Sequence, residues 1–149
     1  VTVTIEVSGL KEVMETLKQL GPKIVEGAAE AGRTWEEEVV MPESMDECPK
    51  EIGDLQGSSH VDPPKISSEG IELTMGYSSP HALYTHEMLD PYVGTENVLG
   101  MKMPVLKSVQ WTKPGSKNKY LEDPFMRHAD ELPDEMAKGI NEALEEAAR

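Results

Sequence analysis

The sequence has a single cysteine, Cys48, so no internal disulfide can form and a fold built on disulfides is excluded. It has no apolar run of the ~18 residues that a bilayer-crossing helix needs. No basic-then-apolar stretch of the secretory kind stands at its start. The numbering opens on Val1, which implies an initiator methionine that is removed or lies outside it. Aromatics are scarce at 5% of 149 residues, and the apolar fraction is only 38%. A core that lean leaves apolar surface for neighbouring subunits to complete. The 9 methionines offer adaptable packing surface for the purpose. Basic residues are scarce as well: 14 Lys and Arg stand against 28 Asp and Glu, a net charge of −14. Gripping a phosphate backbone takes Lys and Arg to displace counterions, so the composition argues against it. Such acidity suits solubility, basic partners, or a passage through which DNA slides without sticking.

Several catalytic signatures are also missing. There is no Gly-x-Gly-x-x-Gly and no Gly-x-x-x-x-Gly-Lys-Ser/Thr phosphate loop. Ser58 and Ser59 stand beside His60 without a Gly-x-Ser-x-Gly elbow. Cys48 sits among Asp46, Glu47 and Glu51, whose carboxylates raise a thiol pKa, the opposite of what a nucleophile needs. His86-Glu87 invites a zinc reading, but a metalloprotease helix needs a second histidine four positions on. That position is Asp90, followed by Pro91, while His60, His81 and His128 are scattered. The expectation is a protein without catalysis, metal or cofactor. The competing reading is a small metal-dependent hydrolase using His86, Glu87 and Asp90. A third is an acidic adaptor that mimics DNA and binds basic proteins.

What the sequence does hold is periodicity. Ile71, Leu73 and Met75 alternate with Glu72 and Thr74, the pattern of a strand with one buried face. Val1 to Ser8 alternates likewise and predicts a second strand, ended by Gly9. Leu10, Val13, Met14, Leu17 and Leu20 then fall at helical spacing, and Gly21-Pro22 breaks that helix. Pro22 suits the first turn of a long helix with the stripe Ile24, Ala28, Ala31, Trp35 and Val39, ending near Met41-Pro42. Gly27 and Gly32 weaken it; simple tolerance explains them more readily than close approach of another backbone. Ile52 to Ser58 reads as a turn docking Leu55 and leading to a strand through His60-Val61. A further strand is expected in or near Ala82 to Glu87. From Met88 to Ser116 the pattern dissolves into an irregular loop carrying Val98, Leu99, Met101, Met103, Val105, Leu106, Val109 and Trp111. A purely solvated loop would not hold so many apolar residues, so it either covers the domain's own core or packs on another subunit; a mixture is expected, with the tip on another subunit. A last helix runs from Phe125 to Ala147, kinked or restarted at Pro133.

The fold class is therefore α+β in a single domain, 1–149. A small antiparallel sheet packs against a long helix of the N-terminal half and a C-terminal helix. Residues 89–116 form an extended loop or arm.

Four local features stand out: the strand-Gly-Leu start with its helix, Val3 to Leu20; Ile52-Gly53-Asp54-Leu55 with Ser58; Tyr84-Thr85-His86-Glu87; and Lys119-Tyr120-Leu121 before the last helix. With these features and its order of elements, the chain resembles, over most of the sequence, the HK97 gp10-like family of tailed-phage neck proteins. The last three are similar to that family's Thr-Gly-x-Leu-x-x-Ser turn, its Tyr-Ala-x-x-x-Glu segment and its aromatic-Leu entry into the last helix. Ile52 departs from the usual threonine, Met88 from a common glycine, and the stretch from Leu89 to Lys117 is longer than the pattern. The resemblance implies a structural virion protein rather than an enzyme. It would form a six- or twelve-membered ring of itself at the head–tail connection, assembled in the host bacterial cytoplasm. Its partners would be portal-side or tail-terminator proteins, with DNA only passing through and no membrane. The contact residues expected are Met101, Met103, Leu106 and Trp111, with Tyr84 and Glu87 near the rim or within the domain.

Overall fold

A computed structural model describes residues 1–6, 15, 19, 21–50, 54–88, 92–107, 111 and 113–149. The alternating segments become strands as their period requires. Strand β1 (Thr2–Glu6) lies antiparallel to the long strand beginning at Ile71, in register from Thr2↔Gly76 to Glu6↔Glu72. On the other side of that strand lie β2 (Ser59–Val61) and β3 (Lys65–Ile66), both antiparallel to it. Asp62-Pro63-Pro64 separates these two short pieces, because proline offers no N–H to a ladder. The central strand is β4 (Ile71–Tyr77), and it buries Ile71, Leu73, Met75 and Tyr77.

Helix α1 (Pro22–Trp35) covers the buried face of the sheet with Ile24, Val25, Ala28 and Ala29. The expected stop at Met41-Pro42 does not occur. The helix widens into a π turn over Glu36–Val40 and continues as α2 (Met41–Glu47). In a regular helix the Pro42 ring would clash with the carbonyl of residue 38. The wider turn, marked by Met41 N–H donating to the Glu36 carbonyl, accommodates the proline within a continuing helix.

The C-terminal segment is α5 (Glu122–His128), a 3₁₀ turn (Ala129–Glu131) and α6 (Leu132–Ala147), with Pro133 in the first turn of α6 as its fixed φ favours. Between them and α2 come the short α3 (Asp54–Gly57), which buries Leu55 as expected, and α4 (Ala82–Glu87). Helix α6 lies along α1 at glycine contact. A Cβ on Gly139 would sit 2.3 Å from the Gly27 carbonyl oxygen, and one on Gly32 would sit 2.7 Å from Leu73 Cδ1. Gly27 is thus a point of close backbone approach, which corrects the expectation of mere tolerance there, whereas Gly32 makes room for a side chain. Trp35 packs edge-on against Phe125 at 6.0 Å, and Tyr77 against Tyr120 at 5.2 Å. A salt-bridge clamp ties α2 to α5: Arg127 meets Glu43 and Glu47, and Lys117 Nζ lies 2.8 Å from Asp123 and 3.1 Å from Glu47.

Two further expectations are corrected. Ala82–Glu87 is a helix, not a strand: Ala82 and His86, four apart, are buried while Leu83 and Tyr84 are exposed. That is helical periodicity, hidden in a segment too short to display it. The irregular loop after Met88 is instead largely a two-stranded hairpin, β5 (Tyr92–Val98) and β6 (Met101–Lys107), in register from Tyr92↔Lys107 to Val98↔Met101. Of the expected helix from Leu10 to Leu20, only Glu15 and Gln19 are described, both helical and exposed; the rest lies outside the described residues.

Candidate interaction surface

Two surfaces gather the residues singled out by the sequence: the rim at α4 and the hairpin. At the rim, His86 is buried edge-on against Tyr120 at 5.2 Å. Its Nδ1–H donates to Glu87 Oε1 at 2.7 Å, and its Nε2 accepts the Glu122 backbone N–H at 3.3 Å. That pair of bonds fixes the tautomer with the proton on Nδ1. Lys119 Nζ lies 2.7 Å from Glu87 Oε2 and 3.0 Å from Glu122 Oε2. The ammonium and then His86 hold the Glu87 carboxyl below its usual range, and Glu87 and then Glu122 hold Lys119 above its own.

Ligand atoms of His86, Glu87 and Glu122 lie within 4.8 Å of one another, a spacing a metal could use. A positive charge already occupies the space between the carboxylates, and both nitrogens of His86 are engaged. A metal would have to displace Lys119 and break the bond to the Glu122 N–H. Asp90, the third member of the metal reading, lies outside the described residues. Around this cluster, Tyr120 Oη donates to the Ala82 carbonyl at 2.9 Å, and Asn118 Nδ2 to the Met88 carbonyl at 2.7 Å. The arrangement therefore locks α4 onto the start of α5. Glu87 serves inside the domain, whereas Tyr84 is 69% exposed beside Leu83 and makes no part of the lock.

The hairpin is built differently. Leu99 and Gly100 have φ of 51° and 84°, the two positive values that a two-residue type I′ turn requires. Direct partners in an antiparallel pair share a face. Met103 opposite Glu96 and Val105 opposite Gly94 thus share one face with Met101 and Lys107, and Lys107 Nζ is 3.5 Å from Glu96. Met101 is 63% exposed and Met103 47%, and Leu99 at the tip is 96% exposed. Among the described residues the hairpin packs extensively only on itself. Leu106 is paired in register with Val93, and Trp111 is half-buried beyond the hairpin. Sequence reasoning counts Leu99 among the apolar residues of the arm but not among its contacts. The signal was Leu99-Gly100 between two runs rich in β-branched and apolar residues, but a leucine rarely takes the first positive φ of such a turn.

The remaining candidates are structural. Cys48 is buried and its thiol is pushed up to about 11, by burial first and not by the neighbouring carboxylates. Ser58 Oγ donates to the Leu55 carbonyl at 2.8 Å, and His60 Nδ1 lies 3.2 Å from the Ser58 carbonyl, so neither forms a nucleophile–base pair with the other. His128 lies between Glu43 and Glu131. The outer face of α1 and α6 forms a groove of about 710 Å³, floored by Gly27, Ala31, Gly139 and Ala143 and edged by glutamates. No family model, no curated protein and no solved structure matches the chain. No helix among the described residues is long and apolar enough to cross a membrane.

Proposed function

We propose that the chain is a structural subunit of a tailed-phage neck, a ring of its own copies that joins head to tail. The resemblance to the HK97 gp10-like family supplies the setting. The observation that supports the reading is the hairpin: Leu99, Met101 and Met103 stand exposed on an arm with little support from its own chain among the described residues. A lone two-stranded hairpin is marginal in water, so an arm of this kind is stabilised by what it meets. Surfaces that differ on the two sides of a subunit close into rings when the rotation per copy closes. Portal-side and tail-side proteins would flank the ring. The acidic outer face of α1, the π turn and α6, carrying Glu26, Glu30, Glu38, Glu142 and Glu146, would repel DNA passing through the bore.

The test is the mass of the purified chain across concentration, with imaging of the particles. A closed oligomer that falls apart on Met101→Ser/Met103→Ser supports the reading. A monomer at every concentration that binds stoichiometric zinc through His86 would overturn it in favour of the metal-dependent enzyme.

A further inference from the structure

The hairpin has two outer edges, and they are not equivalent. A two-residue turn makes its flanking pair, Val98↔Met101, one that exchanges both main-chain hydrogen bonds, and such pairs then alternate. The pairs Glu96↔Met103 and Gly94↔Val105 belong to that set. The intervening residues therefore turn their N–H and C=O outward: Val93, Thr95 and Asn97 on β5, and Lys102, Pro104 and Leu106 on β6. Pro104 has no N–H, so the outer edge of β6 lacks its central donor. The outer edge of β5 is complete. Proline at this position is a recognised way to close a sheet edge. The hairpin can thus accept a further strand through β5 far better than through β6.

The main sheet has a matching edge. Val1 and Tyr77 exchange both bonds, at 3.3 and 2.9 Å. By the same alternation Val3↔Met75 and Ile5↔Leu73 face inward, and Thr2, Thr4 and Glu6 turn their main-chain groups away from β4. No strand pairs with that side of β1 among the described residues, and no proline interrupts it.

We propose that β5 of one copy pairs antiparallel with β1 of the next, so that β6, β5, β1 and β4 run on as one sheet across the subunit boundary. This inference rests on the ring reading and supplies its contact. With Thr4 opposite Thr95, Thr2 falls opposite Asn97, and the polar outer face of β1 continues onto the polar face of β5. Val3 then falls opposite Glu96 and Ile5 opposite Gly94, so the half-buried core-face row of β1 runs on toward Met103 and Val105 of β6. The bonding parity of the two free edges forces this match of faces, here and in registers shifted by two; edges of opposite parity would place the methionines on the solvent side. Pairing β5 with another β5 would also keep parity, but it makes a closed two-fold dimer and leaves β1 open in both copies. Joining β5 to β1 uses both edges and leaves neither.

Thr4 and Thr95 are exposed, so each tolerates cysteine, and buried Cys48 does not compete. Partners that exchange both bonds stand ~5.5 Å apart at Cα, within disulfide reach. Thr4→Cys and Thr95→Cys chains are prepared separately, mixed at high concentration and oxidised. The expected product is a disulfide dimer holding one chain of each kind, absent when either variant is oxidised alone. Asn97→Pro, added to the Thr95→Cys chain, removes an outward donor of β5 and lowers the yield about tenfold, the worth of one or two main-chain hydrogen bonds. Lys102→Pro on β6 leaves the yield unchanged. A dimer from Thr95→Cys alone would establish the two-fold β5 contact and overturn the proposal. So would a bond within single chains of the double variant, or no mixed product at all. An oligomer seen by mass without the mixed disulfide sinks the strand pairing and leaves the ring reading standing. Absence of any oligomer sinks both.

Discussion

The body and the hairpin use the same strand geometry with opposite support. In the body, β4 is hydrogen-bonded on both sides, and its Leu73 and Met75 are fully buried under α1. In the hairpin, β6 has one hydrogen-bonded neighbour among the described residues, and its Met101 and Met103 are about half or more exposed. A buried strand face is stabilised by the apolar area it removes from water, about 25 cal/mol per Å². The methionine face, still about half exposed, gains only part of that until something covers it. Burial of β4 contributes to folding, whereas the exposed face of β6 is left uncovered by the described residues. Changes in the body should therefore cost stability, and changes in the hairpin should cost assembly.

The largest expected effect is at the crossing of α1 and α6. Gly139→Val places side-chain atoms against the Gly27 carbonyl and should destabilise the chain by about 3 kcal/mol, the upper range for overpacking. Urea unfolding checks it, and a change near zero would show that the helices do not touch there.

The second test concerns Glu36, fully buried in the π turn with neither carboxylate oxygen hydrogen-bonded among the described residues. Burial first, then Asp62 and Glu37, push its carboxyl up to about 7. An acid raised in the folded state binds its proton more tightly there than when unfolded. Stability from this group is thus full below the ordinary value of 4.5 and falls as pH rises towards 7. Glu36→Gln should remove that fall and stabilise the chain at pH 8 by up to roughly 3 kcal/mol, with little effect at pH 4. Parallel pH profiles of the two proteins would mean that the carboxylate is solvated after all.

Smaller still is the α2–α5 clamp. Arg127→Ala should cost about 1 kcal/mol, because the guanidinium is partly exposed while serving two carboxylates. The loss should shrink in high salt, and a salt-independent loss would point to packing of the arginine stem instead. The smallest stability effect belongs to the hairpin. Met101→Ser/Met103→Ser should leave the unfolding free energy within about 0.5 kcal/mol, as exposed positions do, while abolishing association. A large loss of stability would show that the methionines pack within their own chain.

The legibility of the sequence follows the same division. Where one face of an element is buried along its length, the pattern is plain, as in Ile71, Leu73 and Met75 or in the stripe of α1. The restart at Pro133 was legible because proline has few permitted places in a helix. The continuation past Pro42 was not, since a π turn arises from relief of a local clash and leaves no period to read. Gly27 and Gly139 meet across 112 positions of sequence, and neither alone announces the contact. The hairpin was missed because its alternation is broken by Gly94, Glu96 and Pro104. Its exposed methionines also obey no core-facing rule within this chain. Of the candidate contacts, the apolar character of the arm was legible, whereas the turn that presents Leu99 depended on backbone angles that leucine seldom adopts.

Hydrogen exchange of β5 amides, followed as the protein is concentrated, tests the division between body and arm most directly. In dilute solution the Thr95 and Asn97 amides should exchange quickly while those of Leu73 and Met75 exchange slowly; on concentration the β5 amides should become protected while β4 is unchanged. Equal and concentration-independent protection of β5 and β4 in a monomer would contradict the account.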